Sequence, residues 1–431
     1  MADTVLPASD SRLSNAHELL SHIQEAFGAS FGFKLWDGST IGPADVPFHM
    51  TIADPGVLGA LARRPNLITV VEMWCLKRID IEDGSIFDFF DHQPRGKFFR
   101  KIKKLKLARQ LLPFLIKGDD KKWSESGLRD KKGEASGSSK EAIQHHYDVS
   151  NTFYQLFLDS RMVYSCGYFR DWENDVEQAQ IDKLDMICRK LRLKPGERFL
   201  DIGSGWGALV IHAVENYGVT AHGVTLSQAQ YDLARERIAA KGLSDKITIE
   251  LKPFQELTGT FDKIASIGMY EHVGFAHHGE YFMALRKLLR PRGLYLHHAI
   301  TRHGRKSEKQ FRKRGPEYKM MVHYIFPGGE LDHIGWSSKM LESHGFEVHD
   351  VEGWREHYQH TTRQWAERLA ARKEEAIAEV GEARYRLWLL YLAGVSNAFL
   401  RGDLLIYQTL ASRRDRGPAG LPPTREDLYK Y

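Results

Sequence analysis

A chain of 431 residues with 42% hydrophobic and 27% charged side chains holds enough apolar material for two domains or one large decorated one, which excludes a disordered or fibrous protein. Three scattered cysteines, Cys75, Cys166 and Cys188, exclude a disulfide framework and a CxxC metal site, so no metal is expected and the compartment reads as reducing. The formal net charge of +5 is small, the start shows no secretory leader, and the most apolar run, 387–399, is too short to cross a bilayer and reads as a buried helix.

Residues 1–116 read as a small α+β domain. In "NAHELLSHIQEAF" the residues Ala16, Leu19, Leu20, Ile23 and Phe27 fall on one helical stripe, and Asn15 and Glu18 have the spacing of a capping box. A turn-rich stretch from Gly32 to Gly56 alternates enough to predict short strands. From Arg95 to Lys117 the chain carries nine Lys and Arg residues and no acid, with Phe98, Phe99, Ile102, Leu105, Leu107, Leu111 and Leu112 interleaved. Such a segment suits an anionic membrane surface, where each nearby cation contributes about 1 kcal/mol. It equally suits a solvated helix between domains. Nucleic acid is set aside, because no nucleic-acid motif accompanies the charge. The Gly, Ser and Lys content of 117–142 marks a linker.

From 143 to 412 strands alternate with helices, ahead of a C-terminal tail at 413–431. "RFLDIG", "VTAHGVTLS", "ITIELKPF", "FDKIASIGM" and "GLYLHHAITR" read as strands, and "FEVHDVEGW" and "LLIYQTLAS" as two more that complete the sheet. "HHGEYFMALRKLLRPRG" reads as a helix closed by Pro291 and Gly293, and two long helices are expected between Thr362 and Leu400. The fold class is therefore α/β, a doubly wound, mostly parallel Rossmann-like sheet with a smaller N-terminal α+β domain.

"RFLDIGSGWGALVIHA" raises the question of a ligand. Glycines between a strand end and a helix start let backbone approach a ligand that a Cβ would repel. Gly203, Gly205 and Ala208 satisfy the dinucleotide fingerprint, yet the second strand ends in "GVTLSQAQ", without the acid or arginine that a dinucleotide's ribose calls for. Asp201 instead precedes Gly203, Gly205 and Gly207, where it can hold the amino group or sugar of S-adenosylmethionine.

Seven segments then carry a resemblance: "YSCGYF", "LDIGSGWG", "GVTLSQAQ", "SIGMYEHVG", "YLHHAI", "IFPGG" and "HYQHTTRQW". In order and spacing the chain resembles the cyclopropane-fatty-acyl-phospholipid synthases and the mycolic acid cyclopropane synthases from about residue 143 to 412. The N-terminal domain resembles the phospholipid-acting branch. The resemblance implies an S-adenosylmethionine-dependent C-methyltransferase that acts on unsaturated phospholipid acyl chains and forms a cyclopropane, with bicarbonate as the base. It also implies a cytoplasmic enzyme, peripheral on the inner membrane face, and a homodimer.

By the same resemblance the bicarbonate ligands fall on Cys166 and Ile300 through their main chains and on Gly268, Glu271, His298 and Tyr358. Donor contacts fall on Tyr164, Ser165, Gly203, Gly205, Thr225 and Gln230, and Asp201 joins them from the motif logic. Phe254 and Gln255 stand where the mycolic enzymes have a Trp and an acid near the adenine, and a phenyl face still stacks there. Val395 replaces a cysteine that many relatives carry, which leaves a methylene- or methyl-branched product open beside the cyclopropane. Two rivals remain: a same-fold methyltransferase with another lipid or a soluble acceptor, and a catalytically dead lipid-binding protein.

Overall fold

The computed structural model describes residues 11–92, 104–115 and 149–430. The expected linker at 117–142, and residues 95–103 and 116 of the basic segment, lie outside the described residues. Two compact units emerge, one from the chain up to Lys132 together with Val380–Gly394, the other from Gly133–Glu379 together with Val395–Tyr431.

In the smaller unit a helix over Ser11–Phe27 buries Ala16, Leu19 and Leu20. It starts ahead of Asn15, so the expected capping box is not formed; Leu13 adds to the apolar stripe packed on the core and draws the helix upstream. The turn-rich stretch does supply short strands. β1 (Gly32–Lys34), β2 (Thr40–Ile41), β3 (His49–Ile52) and β4 (Ile79–Glu82) form a sheet ordered β2-β1-β3-β4. A helix over Lys104–Leu115, inside the basic segment, buries Phe114 in this core and faces Gln110 Oε1 toward His22 Nδ1 at 3.1 Å. Leu112 and Leu115 remain exposed, so the segment is two-sided. Arg386 lies over the Trp74 ring at 3.9 Å and donates to the carbonyls of Trp74 and Ile79 and to Asp80, which satisfies a buried cation from several sides.

The larger unit holds β5 (Arg198–Ile202), β6 (Thr220–Thr225), β7 (Ile247–Leu251), β8 (Phe261–Ile267), β9 (Leu289–Arg302), β10 (Phe346–Gly353) and β11 (Leu404–Arg413). They form one sheet ordered β10-β11-β9-β8-β5-β6-β7, in which β11 runs antiparallel to both neighbours and the other pairings are parallel. Side chains alternate between faces along a strand. Phe199, Ala265 and Leu296 accordingly enter one apolar cluster, and Leu200, Ile264 and Tyr295 the other. Both faces are covered, which is why these strands read as apolar runs. This is the α/β fold expected, with a smaller α+β unit.

Two boundaries differ from expectation. The helix before β9 ends at Leu288, and Pro291 and Gly293 lie inside the strand. The pairing with β8 jumps from Phe261 opposite Leu289 to Lys263 opposite Leu294, with Arg292 at φ 61°. A Cβ on Gly293 would sit 2.7 Å from the Asp262 carbonyl, so this bulge tolerates Pro291 but needs Gly293. The stretch read as two long helices is broken further, into Arg355–Ala371, Lys373–Val380 and Glu382–Arg401, with Gly381 at φ 80° at the second break. Among the described residues no helix is long and apolar enough to cross a membrane.

Candidate active site

From β5 the chain builds outward through β6 and β7 on one side, while β8 and β9 lie on the other. Strand order reverses there, and such a point opens a crevice at the carboxyl ends of the strands. The turn after β5 holds Gly203 at φ 82°, Gly205 at 53° and Gly207 at 83°. A Cβ on Gly203 would press on Met269 at 3.2 Å, whereas one on Gly205 would meet no protein atom within 4 Å.

A cavity of about 340 Å³ lies at this turn, within the range of small-molecule sites. Every residue expected at the donor lines it: Tyr164, Ser165, Asp201, Gly203, Gly205, Thr225, Gln230, Phe254 and Gln255. Thr225 Oγ1 donates to Gln230 Oε1 at 2.8 Å, which turns the amide nitrogen of Gln230 away from it. Phe254 stands edge-on to Tyr281 with ring centres 5.4 Å apart. Asp201 is buried, its Oδ1 has no hydrogen-bond partner, and burial pushes its pKa up to about 7. The size, the glycine turn and this lone acceptor fit S-adenosylmethionine.

The residues expected around bicarbonate gather one strand further on. β8 ends at Ile267 beside His298 of β9, and the next amide, Gly268 N, donates to the His298 carbonyl at 2.9 Å. Gly268 also lines the donor cavity, and its φ of 67° turns the chain into a short 3-10 segment, Tyr270–His272. That turn puts Glu271 Oε1 where Ile300 N donates to it at 2.7 Å. Ile300 and His298 are two apart on β9 and share a face. His298 therefore lies within its strand.

Hydrogen bonds assign the tautomer of His298. Lys190 Nζ donates to Gln408 Oε1 at 2.7 Å, which leaves Gln408 Nε2 to donate to His298 Nδ1 at 2.9 Å. Gln408 is the cross-strand partner of His298 on β11. The imidazole proton thus sits on Nε2, a buried donor with no partner. Burial, with Lys183 and Lys190 nearby, holds the His298 pKa well below its ordinary value, so the ring is neutral. Glu271 Oε2 is likewise buried without a partner, and burial lifts that carboxyl to about 7. One lone donor and one lone acceptor fit an ion that has both a negative oxygen and an O–H, as bicarbonate does.

Cys166 and Tyr358 both contact the carbonyl of Trp354, whose ring packs on His298. The Trp354 carbonyl accepts from Tyr358 N at 3.0 Å and lies 3.8 Å from Cys166 Sγ, and the Trp354 ring stands edge-on to His298 at 5.3 Å. The Cys166 thiol is fully buried and stays protonated. Between the two places runs an aromatic wall, with Trp365 5.2 Å from the cavity-lining Tyr164 and 6.1 Å from Tyr358. Gln408, Lys190, Trp354 and Trp365 were not singled out in the sequence. The signals were there: a lone amide in the apolar run "LLIYQTLAS", and a lysine on the buried side of a helix.

The family described as mycolic acid cyclopropane synthetase matches residues 135–409. The chain is 38% identical over 402 residues to a probable fatty acid methyltransferase of Pseudomonas putida, covering 92% of this chain and 95% of that one. It is 37% identical over 270 residues to the cyclopropane-fatty-acyl-phospholipid synthase of Escherichia coli K12, covering 63% and 67% respectively. Among solved structures, mycolic acid cyclopropane synthase CmaA1 complexed with SAH and CTAB is similar, at 33% identity and a TM-score of 0.60, covering 65% of this chain and all of that one.

Proposed function

The chain belongs to the mycolic acid cyclopropane synthetase family of S-adenosylmethionine-dependent methyltransferases, and on that premise we propose that it methylates the double bond of unsaturated phospholipid acyl chains. The proposed base is a bicarbonate held by Glu271, His298 and Tyr358 with Gly268 and the main chains of Cys166 and Ile300. The observation that carries this reading is the pair of unpartnered buried atoms, Glu271 Oε2 and His298 Nε2, built beside the donor cavity.

An alkene acceptor explains why such a site is needed. It has no proton to give up before attack, so its π electrons form the new C–C bond as the carbon–sulfur bond breaks, and an acyl carbocation results. Bound S-adenosylmethionine supplies the electrophilic methyl group, and bound bicarbonate supplies a small base. The protein's own tasks are to exclude water, shelter the cation and place the base. Tyr164, Trp365 and Tyr358 offer electron-rich faces, each contributing about 0.5–2 kcal/mol to a neighbouring cation. His298 Nε2–H donates to an anionic oxygen, and the Glu271 carboxylate accepts from a hydroxyl. An oxygen or nitrogen acceptor would not require this ion-holding pair, and a dead lipid-binding protein would not require either site.

Proton loss from the new methyl closes a cyclopropane, loss from a neighbouring chain carbon leaves a methyl-branched alkene, and a hydride shift onto the cation followed by proton loss from the methyl leaves a methylene branch. Val395 is buried and is neither acid nor nucleophile, so either the thiol that the resemblance implies at this position is dispensable to the chemistry or this chain makes the branched product. Expression in cells rich in monounsaturated lipid should yield fatty acids heavier by one CH₂, and the ring product should have lost its alkene. Unchanged fatty acids would defeat the proposal; retained unsaturation would assign the branched product.

We extend the reading to docking on anionic phospholipid through the basic segment 95–116. In the described helix Lys104–Leu115, Leu112 and Leu115 point outward while Phe114 is held in the core, so an apolar outer edge accompanies the charge. Converting Lys104 and Lys106 to glutamate should weaken sedimentation with phosphatidylglycerol vesicles and flatten its salt dependence. Binding that is unaltered and insensitive to salt would remove the segment from the docking surface.

A further inference from the structure

We propose that Lys183 forms a carboxylate-binding subsite in the donor cavity, receiving the α-carboxylate at the methionyl end of the donor. Lys183 projects from the helix Val176–Leu191, is only 2% exposed, and still lines the cavity. Its Nζ donates to Ser165 Oγ at 2.9 Å, and Ser165 lines the same cavity. One neutral hydroxyl does little to compensate a buried ammonium, which calls for an anion.

Asp159 and Asp201 act on Lys183 through space, but neither forms an ion pair with it. Asp159 is turned to backbone, accepting from Val163 N at 2.8 Å and Arg161 N at 3.0 Å. Asp201 keeps Oδ1 without any partner, so it is not paired with Lys183 through that atom. The cavity thus contains an under-compensated cation and an under-compensated carboxyl: Lys183 for an anion, Asp201 for a cation or hydroxyl. A zwitterionic amino-acid group supplies both partners at once, its carboxylate to Lys183 and its ammonium to Asp201. Burial lowers Lys183 to about 8 against the opposing pull of Asp159 and Asp201, and raises Asp201 to about 7 against that of Lys183, so for each group desolvation outweighs the counter-charge present.

This subsite rests on S-adenosylmethionine being the donor, and the test separates the two. Calorimetry on the full chain compares S-adenosylhomocysteine with S-adenosyl-3-thiopropylamine, the same molecule without its carboxylate. The wild-type protein should prefer S-adenosylhomocysteine roughly 10- to 100-fold, the range of a charge-assisted hydrogen bond. Lys183→Met should lose that preference by weakening S-adenosylhomocysteine alone, and Lys183→Arg should retain most of it. Equal affinity of the wild-type protein for both ligands would overturn the subsite even if the methionine variant failed to fold. So would a variant that weakens both ligands alike, since that is the mark of a packing role. Wild-type protein that binds neither ligand would overturn the donor reading itself.

Discussion

Glu271→Gln is expected to lower methyl transfer roughly 10²- to 10⁴-fold while leaving affinity for S-adenosylhomocysteine within about twofold. The amide keeps an oxygen for the Ile300 N–H, so the 2.7 Å contact and the local fold survive. What changes is the other atom: an acceptor buried without a partner becomes an NH₂ group that opposes any hydroxyl brought to it. Glu271 does not line the donor cavity, which is why donor affinity should hold. Turnover within about tenfold of wild type would remove Glu271 from the base site.

The same substitution has a pH signature. Burial raises the Glu271 pKa from 4.5 to about 7, so the folded protein binds this proton more tightly than the unfolded chain does. The resulting stability is fully present below pH 4.5 and is lost as pH rises through about 7. At 1.36 kcal/mol per pKa unit the loss amounts to about 3 kcal/mol. Without ligand, the melting temperature of the wild-type protein should therefore fall more steeply across that window than that of Glu271→Gln, measured by calorimetry. Parallel curves would mean that this carboxyl is not held protonated by burial.

Gly205→Val is expected to weaken S-adenosylhomocysteine binding at least about 100-fold, through occlusion more than through strain. Gly205 has φ 53°, and forcing a β-branched residue there costs roughly 1–2 kcal/mol. A Cβ at that point meets no protein atom within 4 Å, so the valine methyls enter the cavity the ligand would fill. Gly420 isolates the strain, with φ 79°, open space around its Cβ and no part in the cavity. Gly420→Val should lower stability by a similar amount and leave affinity unchanged. Equal affinity losses in the two variants, or none in Gly205→Val, would show that this turn does not hold the donor.

The donor site was legible because its parts are local. Asp201, Gly203 and Gly205 fall at one strand end, Thr225 and Gln230 at the next, and Phe254 and Gln255 after the third, where a doubly wound sheet collects its ligands. Helix boundaries were less legible, since Leu13 and the bulge at Arg292 and Gly293 respond to packing that neighbouring residues do not announce.

By itself the sequence determined the α/β class, the glycine turn and the order of the motifs, because alternation and glycine spacing act over a few residues of chain. Only the tertiary structure decided the protonation of the second site. The antiparallel docking of β11 sets Gln408 opposite His298, Lys190 then orients that amide, and the imidazole is left with its proton on Nε2. Those three side chains meet through pairing of distant strands and the packing of a helix, and the burial that keeps His298 neutral and lifts Glu271 to about 7 exists only once the core has closed around them.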